Sequence, residues 1–177
     1  MKKIIAFAGS NSKQSINKQL VTYTSSLLND AIAEVIDLND YELPLFSVDI
    51  EKEQGYPENA RKFLSKIEDS DGIIISLAEH NGAYTAVFKN LLDWMSRIEA
   101  KTFYGKSMLL MATSNGARGG RSVLDIALSR FPRHDANIVG EFSLPEFKSN
   151  FSNGKIVNEE LGMKLKDLVG LFEKALQ

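Results

Sequence analysis

Cysteine is absent from these 177 residues. That removes disulfides, thiolate nucleophiles and Cys-ligated metals together, and it is compatible with a reducing cytoplasm. Histidine is scarce: the two residues, His80 and His134, have no paired spacing for a metal, and no H-E-x-x-H motif occurs. A large charge of one sign is also lacking. The formal net charge of −2 makes no electrostatic case for nucleic acid or an anionic membrane as partner. No run approaches the ~18 apolar residues of a spanning helix. Met1 to Gly9 resembles the front of a signal peptide, but its apolar stretch is too short and no small-residue cleavage site follows. The expected location is therefore cytoplasmic. The G-x-x-x-x-G-K-[ST] loop, a G-x-G-x-x-G after the first apolar run and a G-x-S-x-G elbow are all missing. A receiver-type phospho-acceptor needs an acid where this chain has Ala8-Gly9. What remains is ligand binding with borrowed chemistry, which means a cofactor.

What is present is a soluble globular composition, 44% hydrophobic and 25% charged, and a length that fits one domain over residues 1–177. Ile4 to Ala8 reads as a strand apolar on both faces, as in a sheet covered on two sides. Asn17 to Asn29 reads as a helix, with Leu20, Tyr23, Thr24, Leu27 and Leu28 at helical spacing. Ala33 to Leu38 is a second strand, and residues 39–56 show no clean period and read as a long surface loop. Pro57 opens a helix to about Ser70. Gly72 to Leu77 is a third strand, followed by the polar break Glu79-His80-Asn81-Gly82 and a helix from about Ala83 to Ser96. Ser107 to Thr113 is a fourth strand, Ser114 to Gly120 a glycine-rich turn, and Arg121 to Phe131 a helix. Ile138 to Phe142 is a weaker fifth strand, residues 143–157 are irregular, and Asn158 caps a last helix to about Leu176.

Strands alternating with helices imply a parallel sheet with right-handed crossovers and helices on both faces. With five strands the favoured architecture is a flavodoxin-like α/β three-layer sandwich in the order 2-1-3-4-5. In that order the loops after strands one, three and four share the C-terminal sheet edge, with the ligand at the switch point between strands one and three. The first of these loops, Gly9 to Asn17, leads from an apolar run into a helix start. Such a start offers unpaired N–H groups and a favourable dipole to an anion. Ser10, Ser12 and Ser15 add hydroxyls, Lys13 adds a cation, and Gly9 permits a tight turn.

Gly9-Ser10-x-Ser12-x-x-Ser15-x-Asn17 resembles the G-S-x-R-x-x-S-x-N phosphate loop of the NAD(P)H-dependent FMN reductases, a group with quinone, azo-dye and chromate reductases. Glu79-His80-Asn81-Gly82 and Phe88-Lys89-Asn90-Leu91-Leu92-Asp93-Trp94 are similar to that family's P-E-Y-N-x loop and K-N-A-I-D-W helix. Ser114 to Gly120 matches its Ser/Gly segment ending in Gly-Gly. The resemblance spans about Lys2 to Leu128. It implies that Ser10, Ser12, Ser15, Ile16 and Asn17 surround an FMN phosphate. It further implies that Glu79, His80, Asn81 and Gly82 border the isoalloxazine edge, and that Ser114, Asn115, Gly116 and Gly120 support its pyrimidine end. The implied activity is hydride transfer from NAD(P)H to flavin N5 and on to a small acceptor such as free flavin, a quinone or an azo compound. No protein nucleophile or general base is required. The implied assembly is a homodimer or homotetramer. Three positions depart from the pattern: Ser12 replaces the family Arg, leaving Lys13 and backbone N–H groups to meet the phosphate charge, Ala78 replaces its Pro, and His80 replaces its Tyr.

The rival readings are a flavodoxin-like electron carrier and a descendant of the fold without cofactor. Carriers of that kind are strongly acidic and use a Thr-rich phosphate loop, and this chain has neither feature. Trp94 with Phe88, Leu91 and Met95 reads as core or subunit interface, and Lys89 with Asp93 as a solvated i,i+4 pair. His80 either lies near the ring or faces water. His134 reads as surface. Arg118 and Arg121 serve either a nicotinamide-cofactor phosphate or an exposed helix start.

Overall fold

The structure, a computed structural model, describes residues 1–176. Runs that are apolar on both faces become the inner strands. β1 (Lys2–Gly9), β3 (Gly72–Leu77) and β6 (Ser107–Thr113) are buried along almost their whole length. β2 (Ala31–Ile36) alternates in burial, as an edge strand does, and β7 (Asn137–Leu144) closes the other edge. All pairings in this sheet are parallel. The order is β2-β1-β3-β6-β7, which is 2-1-3-4-5 when only the strands of this sheet are counted. The two-stranded hairpin β4 (Glu79–His80) and β5 (Ala83–Tyr84) rises from the end of β3.

Alternate residues of β1 feed two separate cores. Ile5 and Phe7 pack with α3 (Glu58–Glu68), α4 (Ala86–Ile98) and α5 (Arg121–Arg130) on one face of the sheet. Ile4 and Ala6 pack with α1 (Ile16–Ser25) and α7 (Glu159–Lys174) on the other. This period-2 division is what a sheet sandwiched between helix layers demands.

Several expectations need correction. Residues 39–56 are not one loop: α2 (Val48–Gln54) forms there, capped by the Ser47 hydroxyl, and a 3₁₀ turn covers Leu38–Asp40. The α2 helix buries no residue, so it leaves no apolar stripe to read. The segment 143–157 is ordered as the end of β7, α6 (Phe147–Asn150) and the hairpin β8 (Phe151–Ser152) and β9 (Lys155–Ile156). Phe147 and Phe151 stack with centroids 4.6 Å apart over the α1/α7 core. The helix expected from Ala83 starts at Ala86, because Ala83 and Tyr84 pair in the β4–β5 hairpin. His134 is buried rather than superficial, with Nδ1 3.0 Å from the Ala100 carbonyl and Nε2 3.2 Å from Arg130 Nε. Trp94 is fully buried and donates to the Pro44 carbonyl at 2.8 Å, and Lys89 pairs with Asp93.

Candidate active site

Three loops at the C-terminal edge of the sheet open on one cleft of about 290 Å³. It is lined by Ser10, Ser12, Ser15, Ile16 and Asn17 from the first loop, Glu79 and His80 from the hairpin, and Ser114 and Asn115 from the third loop. Gln14, Ala78 and Thr113 also line it; Ala78 stands where the family pattern has Pro, and Gln14 and Thr113 are sequence neighbours of the expected residues that carried no signal of their own. Lys13 lines an adjoining groove with Lys18, Tyr23 and Phe151, and Gln14 and Ser15 line both. Asn81, Gly82, Gly116 and Gly120 border the loops without lining this cleft.

The first loop spends its hydroxyls as acceptors. Ser10 Oγ accepts from Ser12 N at 3.2 Å, Ser12 Oγ from Gln14 N at 3.3 Å, and Ser15 Oγ from Lys18 N at 3.2 Å. A serine oxygen that accepts from the chain keeps its own proton for a ligand. Among the described residues, no acceptor takes the N–H groups of Ile16 and Asn17, and the first turn of α1 carries no acid. Hydroxyl protons, open N–H groups and a helix N-terminus fit a phosphate. The donors of this loop that line the cleft are neutral, and Lys13, its cation, lines the adjoining groove.

Gly9 is outside the left-handed region, and what favours glycine there is the closeness of neighbouring side chains. A Cβ there meets Leu77 Cδ2 at 2.9 Å and Phe88 Cγ at 3.4 Å. Its carbonyl accepts from the Thr85 hydroxyl at 2.8 Å, which fixes the start of α4 to the end of β1.

Asn17 is a tie between strands. Its Nδ2 donates to the Thr113 carbonyl at 3.2 Å, and its Oδ1 accepts from Thr113 N at 3.1 Å and from the Ser76 hydroxyl at 2.7 Å. The side chain, 2% exposed, is therefore committed to β3 and β6, and only its backbone N–H is open to a ligand. The hairpin turns on Asn81 and Gly82, both at positive φ (53° and 74°), as a two-residue turn of the I′ kind requires. The Glu79 carboxylate leaves the hairpin and accepts from Val123 N at 3.0 Å, in the first turn of α5.

The third loop is braced from beneath. Glu146 N donates to the Gly116 carbonyl and Phe147 N to the Ser114 carbonyl, each at 3.0 Å. Gly119, at φ +56°, lies so close to the end of β7 that a Cβ there clashes with Ser143 Oγ and meets the Pro145 nitrogen at 2.8 Å. Arg121 is held by Asp125 and by Glu141, which favours the helix-start reading for it. Among the described residues, no cluster of acids and histidines suits a metal ion, and no helix is long and apolar enough to cross a membrane.

The family model for NADPH-dependent FMN reductases matches residues 2–149. The chain belongs to that family. As a member it is a flavin enzyme, with FMN as cofactor and NAD(P)H as electron donor. It is 33% identical over 174 residues to a 2-hydroxy-1,4-benzoquinone reductase of a Burkholderia species, covering 89% of this chain and 87% of that one. It is 30% identical over 119 residues to a quinone reductase of Escherichia coli K12, covering 67% of this chain and 63% of the relative. In fold it is similar to the flavoenzyme NAD(P)H:(acceptor) oxidoreductase FerB of Paracoccus denitrificans, with TM-score 0.75, 22% identity and 99% of each chain covered.

Proposed function

We propose that this reductase is a single-domain cytoplasmic enzyme that passes electrons from NAD(P)H through FMN to a quinone. The carrying observation is the donor set at the start of α1: three serines whose oxygens accept from the chain while their protons stay free, beside two open backbone N–H groups. FMN supplies the hydride chemistry when bound, and no side chain has to act as nucleophile or general base. The Ser10, Ser12 and Ser15 hydroxyls and the Ile16 and Asn17 N–H groups hold the phosphate. The β4–β5 turn at Asn81 and Gly82, with His80 beside it, borders the ring. Ser114, Asn115 and Gly116 supply donors at the pyrimidine end, where they favour negative charge, and Gly120 starts the helix behind them. The printed names of the two relatives above support a quinone as the acceptor. The resemblance supports a homodimer or homotetramer.

The visible spectrum of the chain purified from cells tests this reading. Flavin bands that bleach with NADPH or NADH and return on adding a benzoquinone are expected. A colourless protein that also fails to take up added FMN overturns it.

A further inference from the structure

Two of the three cleft loops are joined by a single side chain. Helix α5 starts at Gly120, which sits in the left-handed region at φ 76° and has no side chain to cap the helix. The Arg121 and Leu124 N–H groups find carbonyls at Arg118 and Gly120. The N–H of Val123 is met from 44 residues away, by Glu79 Oε2 at 3.0 Å. Glu79 is half-buried at the base of the β4–β5 hairpin, paired with Tyr84 across it and adjacent to His80 at the cleft wall. At the other end of α5, the Tyr84 ring stacks on Phe131 with centroids 6.1 Å apart. Apolar packing holds one strand of the hairpin to the far end of the helix. The carboxylate holds the other strand to its start.

We propose that Glu79 is a positioning residue: its carboxylate serves as the missing N-cap of α5 and thereby sets the hairpin and the third loop at a fixed separation across the cleft. The acid type follows from the site, since a charged acceptor at a helix start makes a stronger bond than a neutral one and complements the helix dipole. An acceptor of this length is required. Among the described hairpin side chains Glu79 is the one that bonds the start of α5, while the hairpin backbone stays free to border the ring. The proposal rests on the FMN reading for its consequence, but the latch itself is a property of the chain without ligand.

The test compares Glu79→Ala with Glu79→Gln on full-length protein stripped of flavin, using amide hydrogen exchange and FMN titration. Alanine removes the acceptor, so exchange at Val123 and across 79–84 should accelerate at least tenfold and FMN affinity should fall about tenfold, as for a lost charge-assisted bond. Glutamine keeps an acceptor oxygen at the same reach. It should restore slow exchange and bring affinity to within about threefold of the parent chain. Rescue by Gln separates positioning from a general loss of fold, and circular dichroism of both variants confirms that the fold persists. Unchanged exchange in the alanine variant overturns the latch. So does a glutamine variant that behaves like alanine while remaining folded. If the parent chain itself takes up no FMN, the flavin reading fails instead, and the exchange data still decide whether Glu79 joins the two loops.

Discussion

Two helices begin at this cleft, and they treat their N-termini in opposite ways. Helix α1 caps itself with Ser15, carries no acid in its first turn and leaves the Ile16 and Asn17 N–H groups open. Helix α5 has no cap of its own, and a carboxylate from another loop already occupies its first turn. The partial positive charge at the two starts is comparable. Only one start is available to an anion. This difference orients the proposed cofactor: phosphate at α1, and the ring toward the hairpin and α5. A second negative group at α5 would face Glu79, and like charges that close are mutually unfavourable.

The largest expected effect comes from cutting the tie that holds the α1 start to β3 and β6. Asn17→Ala leaves the Thr113 N–H, the Thr113 carbonyl and the Ser76 hydroxyl without their partner in a buried site. Stranded polar groups cost about 1–3 kcal/mol each and do not add fully, so a loss of about 3–5 kcal/mol is expected in urea unfolding. For a chain of this size that lowers Tm by roughly 10 °C. An Asn17→Ala protein as stable as its parent would mean that these bonds do not hold the α1 start to β3 and β6.

Next is Gly119→Ala, which tests how tightly the α5 start is packed. The added methyl meets β7 backbone at 2.8 Å, at a φ of +56°. Strain and overpacking together should cost about 2–4 kcal/mol. The control is Gly82→Ala at the hairpin tip, where φ is +74° but nothing lies within 4 Å. It should cost only about 1 kcal/mol. Equal losses for the two would show that backbone conformation, not the closeness of β7, demands glycine at 119.

These residues also show what the sequence reveals and what it conceals. The sheet order was legible because β1, β3 and β6 are unbroken apolar runs, separated by amphipathic helices with a single buried stripe. The three loops were legible because each follows a strand end. The parts that were missed depend on partners distant in sequence. Nothing near His134 announces that the Ala100 carbonyl, 34 residues away, meets its ring. Nothing in Ser15-Ile16-Asn17 shows that one amide reaches Thr113, 96 residues away. Lys13 lies in the loop expected to meet the phosphate, and what the sequence does not show is that it lines the groove adjoining the cleft. Sequence position identifies a loop. The direction of each side chain depends on tertiary packing.

Affinity changes at the α1 start are smaller and sharpen the comparison directly. Ser15→Ala removes both the cap to Lys18 N and a free hydroxyl proton. Stability should fall by about 1 kcal/mol, and FMN affinity by about tenfold, because hydrogen bonds to charged groups are worth more than the cap. Ser12→Arg should act in reverse. It restores the family's cation at a position that lines the cleft, and FMN should bind about three- to tenfold tighter at low salt, with the gain shrinking as salt rises. An FMN titration at two ionic strengths reads both variants. A Ser12→Arg chain with parental affinity would place the phosphate away from α1.

The smallest expected effect tests the apolar end of the hairpin. Among the described residues, the buried Tyr84 hydroxyl has no hydrogen-bond partner. Burial pushes its pKa up to about 12 from 10.0, against the opposing pull of the Arg130 charge. The folded chain thus retains a proton that the unfolded chain releases near pH 10. The stability linked to this proton is fully present below pH 10 and is lost as pH rises toward 12. Tyr84→Phe keeps the ring contacts with Phe88 and Phe131 and removes the stranded hydroxyl. It should leave stability at pH 7 unchanged or raise it by up to about 1 kcal/mol, and it should flatten the decline above pH 10. Urea unfolding of parent and variant at pH 7 and pH 10.5 measures both. A variant less stable at pH 7 would mean that the hydroxyl makes a bond in solution and that the hairpin is held to α5 by polar contacts at both ends.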